Sequence, residues 1–139
     1  MTPVFLEIYV FVRALGWLLV AGTLVQGKWK EIGTTSSSNP VSIDPASIKR
    51  KDGIVTATVR VVYQKPVAIG KKQLTGSRST AMFDCAKQSI AVKENVLYAD
   101  VQKGVVYSKN VNAQPGYGPA IKGSFADVAM QYVCKAETH

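Results

Sequence analysis

Histidine is all but missing from this 139-residue chain: the single one, His139, is the last residue. A Ser-His-Asp or Cys-His arrangement would have to recruit a chain terminus, and termini are seldom held in place. Cysteine is nearly as scarce. Cys85 and Cys134 are the only two, and with no internal histidine they make no zinc-type spacing. No glycine-rich phosphate cradle occurs. Carboxylates are few, 9 against 17 lysines and arginines. Asp84, Glu94 and Asp100 fall in the sheet region, but nothing in the sequence marks them as desolvated, so surface salt bridging accounts for them better than acid-base work does. These absences point away from an enzyme and from any metal or cofactor.

What is present begins with apolar length. Between Val4 and Val25 the only charges are Glu7 and Arg13, and Ala14 to Val25 forms an uncharged core of the length of a signal h-region. Residues 1–27 therefore read as an export signal, with cleavage near Gly27, where Lys28-Trp29-Lys30 opens a polar, alternating composition. The stretch before Arg13 is apolar for an n-region, and a translation start at Val12 would remove the anomaly. An uncleaved membrane anchor is the main rival, weakened by Glu7, Arg13, Gly16 and Gly22. A pilin-like stem, prompted by FLEIYVF, lacks a processing motif. The remainder, 28–139, is one domain's worth of chain. Export to a periplasmic or extracellular compartment makes a Cys85–Cys134 disulfide feasible, because thiols outside the cytosol are oxidised.

The net charge is +8 at pH 7. Since the apolar segment holds one charge of each sign, the excess belongs to the domain. Such a surface attracts lipopolysaccharide, acidic polysaccharide or other polyanions without sequence-specific nucleic-acid recognition, and it also favours solubility. The densest cluster, Lys49-Arg50-Lys51, precedes Asp52-Gly53 and reads first as the flank of a solvated hairpin, second as a binding patch. Lys71-Lys72 and Tyr117, the latter between two glycines in a loop, complete the candidate binding residues.

Periodicity supplies the elements. Lys28–Ile32 and Val41–Ile43 read as short strands around the loop GTTSSSNP, with Asp44-Pro45 starting a turn. In IVTATVRVVY, Val55, Ala57, Val59, Val61 and Tyr63 alternate with Thr56, Thr58 and Arg60, the period of a half-buried strand, and Pro66 is expected to end it. A second long strand is expected from Leu74 to Val92, with Cys85 facing the core, then a turn at Glu94-Asn95, a strand from Val96 to Val101, and a hairpin at Lys103-Gly104 into Val105-Val106-Tyr107. After the loop NVNAQPGYGP comes a helix. Ser124 is its N-cap, Asp127 sits at the third helical position, and Asp127, Gln131 and Lys135 form a narrow polar stripe on an otherwise apolar surface. A bond from Cys134 in its last turn to Cys85 would fasten the helix to the sheet.

Trp29 after a signal, VSIDPASIKRKDG, the valine-rich strand, SRSTAMFDCAKQS and the terminal IKGSFADVAMQYVC together resemble the surface-adhesin protein E family of bacterial envelope proteins over nearly all of 28–139. The resemblance implies an antiparallel sheet with a helix tethered to it by a disulfide, and adhesion to host matrix proteins. No cysteine stands near the end of the apolar segment, so a lipid anchor is not expected. The combined expectation is an α+β domain, a curved antiparallel meander of about five to six strands packed with one C-terminal helix. It would act as an exported, non-catalytic binding module for a protein or polyanion. The alternative is a structural subunit of an envelope assembly, touching the membrane only through an uncleaved N-terminal segment.

Overall fold

The computed structural model describes residues 28–137; the apolar segment 1–27 and His139 lie outside the described residues. Eight strands occur among them: β1 (Lys30–Thr34), β2 (Pro40–Ile43), β3 (Lys49–Lys51), β4 (Ile54–Ile69), β5 (Lys72–Asp84), β6 (Ser89–Asp100), β7 (Val105–Val111) and β8 (Gly118–Pro119). One helix, α1 (Phe125–Glu137), follows them. All pairings are antiparallel, and the order is β1-β2-β4-β5-β6-β7, with β3 added beside β4 and β8 beside β6. This is the curved sheet with a tethered C-terminal helix that the sequence leads one to expect.

The alternation in β4 holds. Val55, Ala57, Val59 and Val61 are buried and join Val41, Ile43, Ala81, Phe83, Ala129, Met130 and Val133 in the main core beneath α1. Burial of each large side chain of this set is worth about 1.5–3 kcal/mol. The opposite face carries a smaller cluster, Val96, Tyr98 and Val101 with Val62. Gly76 lets it close: a Cβ there would stand 2.6 Å from the Val61 carbonyl oxygen and 2.7 Å from Val101.

Three expected boundaries move, each for a local reason. Pro66 does not end β4, because Val62 pairs with Gly76 and Val67 with Leu74, so the residues between bulge out opposite Thr75 alone. A proline inside a bulge forfeits no ladder hydrogen bond. The strand expected from Leu74 to Val92 breaks at 85–88, where Asp84 Oδ1 accepts the Lys87 N–H, Gln88 Nε2 donates to the Cys85 carbonyl and Gln88 adopts φ 53°. Glu94-Asn95 is no turn but the middle of β6. Glu94 pairs with Thr80 across the sheet and Asn95 with Ser79, while the register shift beside them leaves Lys93 as the extra residue.

The helix is pinned at both ends. At its start the Ser124 hydroxyl accepts the Asp127 N–H, and Asp127 Oδ2 accepts the N–H of Gly123, one residue earlier than a standard capping box. Gln131 donates to Asp127 Oδ1 at 3.0 Å. These bonds and the nearby Lys122 hold the Asp127 carboxyl below its ordinary pKa. At its other end Cys134 is bonded to Cys85, with Cα atoms 5.5 Å apart and a sequence separation of 49.

Reducing this bond, or replacing both cysteines with alanine, is expected to lower unfolding free energy by up to about 4 kcal/mol in denaturant titrations, the loop-closure value for such a separation. Because the Asp127 pKa is depressed in the fold, its contribution is present at neutral pH and disappears as pH falls below the ordinary value of 3.8. Acid unfolding of Asp127→Asn should accordingly show a shallower slope below that pH than the parent.

Candidate binding interface

The basic residues singled out in the sequence do not converge. Lys49, Arg50 and Lys51 form β3 and enter β4 through Asp52 and Gly53, both at positive φ, the conformation expected of an Asp-Gly hairpin. Lys71 and Lys72 lie at the far end of β4, where Gly70 at φ 59° turns the chain back into β5. A 16-residue strand spans about 50 Å at 3.3 Å per residue, so the two groups sit at opposite ends of the molecule. Tyr117 is 47% exposed and precedes β8, at the β3 end of the sheet but across its width.

Within the triplet the roles divide. Lys49 and Lys51 stand opposite Thr56 and Ile54, whereas Arg50 stands opposite Val55 on the helix side and its Nη1 donates to the Val133 carbonyl at 3.1 Å. That carbonyl lies toward the C-terminal end of α1, where the helix dipole favours a cation. Arg50 is therefore engaged as a clamp on the helix end.

The face opposite α1 holds a second arrangement that periodicity alone did not reveal. Arg60 and Arg78 are direct cross-strand partners. Arg78 binds Glu94 at 3.2 Å, while the Arg60 guanidinium lies over the Trp29 ring at 5.0 Å, with Lys28 near the same ring. Burial lowers the Arg60 pKa, Tyr98 opposes that shift, and Arg60 Nε is buried without a hydrogen-bond partner among the described residues. Stacking on an indole compensates a desolvated guanidinium in part.

The most exposed apolar feature is β7. It pairs on one side with β6 and, among the described residues, with nothing on the other. Val105, Val106 and Val111 are 50%, 53% and 68% exposed, and Tyr107 is open as well. Proteins usually blunt such an edge with charge, proline or brevity; here Lys109 is the one charged residue in seven. The sequence signal was the unalternating run Val105-Val106-Tyr107, whose position at the rim only the strand order decides. Among the described residues no cluster of His, Cys, Asp and Glu could hold a metal ion.

The fold and these surfaces define a small α+β domain in which a disulfide-locked helix backs a sheet with an open apolar edge. The chain belongs to the surface-adhesin protein E family, whose model matches residues 29–135. Solved structures of Haemophilus influenzae protein E share the fold: crystal form II at 14% identity and TM-score 0.57, covering 82% of this chain and 92% of that one. A second structure of that protein aligns at 13% identity and TM-score 0.54, covering 80% and 86%. No curated protein matches the chain. Family membership makes this an adhesin-like surface protein.

Replacing Arg50 with alanine should destabilise the domain by about 1 kcal/mol, the net worth of one hydrogen bond. Lys49→Ala and Lys51→Ala should stay within about 0.5 kcal/mol of the parent. Thermal unfolding of the three variants separates the clamp from its neighbours.

Proposed function

We propose that the domain is an exported, non-catalytic binding module of the bacterial cell envelope that receives an extended segment of a partner protein along the free edge of β7. The observation that carries this reading is the apolar strand Val105–Val111 at the rim of the sheet, with no strand beside its outer edge among the described residues. Strand addition draws affinity from backbone hydrogen bonds and specificity from alternate side chains, so it needs no pocket and no catalytic group. A rigid sheet also lowers the ordering cost on the module's side. The disulfide, the apolar segment 1–27 and the family support a periplasmic or extracellular setting.

The lysines act at a distance in this reading. Lys49, Lys51, Lys71 and Lys72 stand at opposite ends of β4 and are exposed, so they raise the encounter rate of acidic partners without forming one contact site. Tyr117 adds an exposed ring near β8.

A photo-crosslinking residue placed at position 106 in intact cells, followed by mass spectrometry, should capture a partner protein. The double variant Val106→Lys with Val111→Lys, carrying a crosslinker at position 107, should lose that capture and keep the parent's unfolding temperature. Glutamine at Lys71 and Lys72 should slow association at low salt and leave dissociation unchanged. Undiminished capture by the double-lysine edge would overturn the assignment.

A further inference from the structure

A cavity of about 510 Å³ opens on the helix side of the sheet, beyond the N-terminal end of α1. It exists because the helix is short for the sheet: 13 residues rise about 20 Å, while the 13 residues of β5 run about 43 Å. Helix α1 packs on β1, β2 and β4. Past its first turn, the helix-side register of β5 changes from Phe83 and Ala81 to Ser79 and Ser77, and opposite these stand Asn95 and Leu97 of β6. A core-facing strand that turns from apolar to hydroxyl and amide side chains is not filling a core.

The hydrogen bonds leave donors unspent. Ser79, only 4% exposed, donates its hydroxyl to Asn95 Oδ1 at 2.9 Å, and Asn39 Oδ1 accepts the Gln64 N–H at 2.9 Å. Both carbonyl oxygens are thereby engaged, and neither amide NH₂ has a partner among the described residues. Ser36, Ser37 and Ser77 add hydroxyls to the lining. Among the described residues no aspartate or glutamate lines the cavity and the one charged residue there is Lys122, which faces the field of Asp127 outside it. Tyr63 and Phe125 supply apolar ring surface.

The wall is rigid before any ligand arrives. The Ser36 N–H donates to the Gly123 carbonyl, and the Asn39 N–H donates to Thr35 Oγ1. Gly123, at φ 83°, lies so close to Ser36 that an added Cβ would stand 3.0 Å from its side chain. The volume exceeds what a lone phosphate or carboxylate fills and falls in the range of small-molecule sites, about 300–1,000 Å³.

We infer that this groove binds a carboxylated saccharide. Free amide and hydroxyl donors suit ring hydroxyls and a carboxylate, aromatic rings suit the C–H faces of a sugar, and a donor-rich wall with Lys122 and no acid selects a negative charge. The site reaches β6, where Asn95 and Leu97 pair with Asn110 and Ser108 of β7, but it opens on the helix-side face, whereas a partner strand would add along the outer edge of β7.

Two-dimensional ¹⁵N NMR of the exported, disulfide-bonded protein tests it, using a hyaluronan tetrasaccharide and, as an uncharged counterpart, fully N-acetylated chitotetraose. Saturable shifts are expected at Ser36, Ser77, Asn95 and Lys122 with the hyaluronan tetrasaccharide and only weaker ones with chitotetraose. Lys122→Gln should reduce hyaluronan affinity roughly fivefold, about 1 kcal/mol, and Ser77→Val by a similar factor. With salt screening the distant lysines, Lys71→Gln with Lys72→Gln should leave it unchanged. Shifts confined to the exposed lysines, equal response to both sugars, or unaltered affinity in Lys122→Gln would each overturn the inference, with the variants' undisturbed spectra showing that they fold.

Discussion

The packing of α1 against β1, β2 and β4 is the constraint from which the other features follow. Met130, Ala129 and Val133 close the core over β4, but a 13-residue helix on its own is marginal in water and needs that docking to persist. The fold holds it from both ends. Arg50 and the Cys85–Cys134 bond fix the last turn, and Asp127, Ser124 and the Gly123–Ser36 contact fix the first. Neither end can slide without breaking a bond to a different part of the sheet.

Fixing the helix also determines what remains open. Covering the β1-β2-β4 half leaves the far rim bare at β7, and the helix start leaves the polar reach of β5 and β6 unroofed. A protein strand and a saccharide would therefore meet surfaces of different chemistry on one rigid body. The basic excess acts over both, as a field and not as a pocket, because its lysines are dispersed along the length of β4 and beyond.

Much of the scaffold was readable residue by residue. Period-two burial in β4, the Asp52-Gly53 hairpin, the Ser124–Asp127 cap and the polar stripe of α1 are local patterns whose physics involves only near neighbours. The misplaced boundaries share another trait. Glu94 and Asn95 look like turn formers until Thr80 and Ser79 face them across the sheet, and Pro66 looks like a terminator until the bulge opposite Thr75 is known. Arg50 was grouped with its lysine neighbours because nothing in the triplet reveals that its partner is the Val133 carbonyl, 83 positions away.

By itself, then, the sequence determined the main elements, the core-facing alternation, the positive charge and the two sulfurs able to join, since hydrophobic periodicity, capping and composition are properties of short stretches. Tertiary structure alone decided which strand became the bare edge, which arginine became a clamp and where serines and asparagines gathered into a groove. Those outcomes depend on strand order and on how far a helix of fixed rise reaches across a sheet of greater length, and such distances exist only once remote segments are brought together.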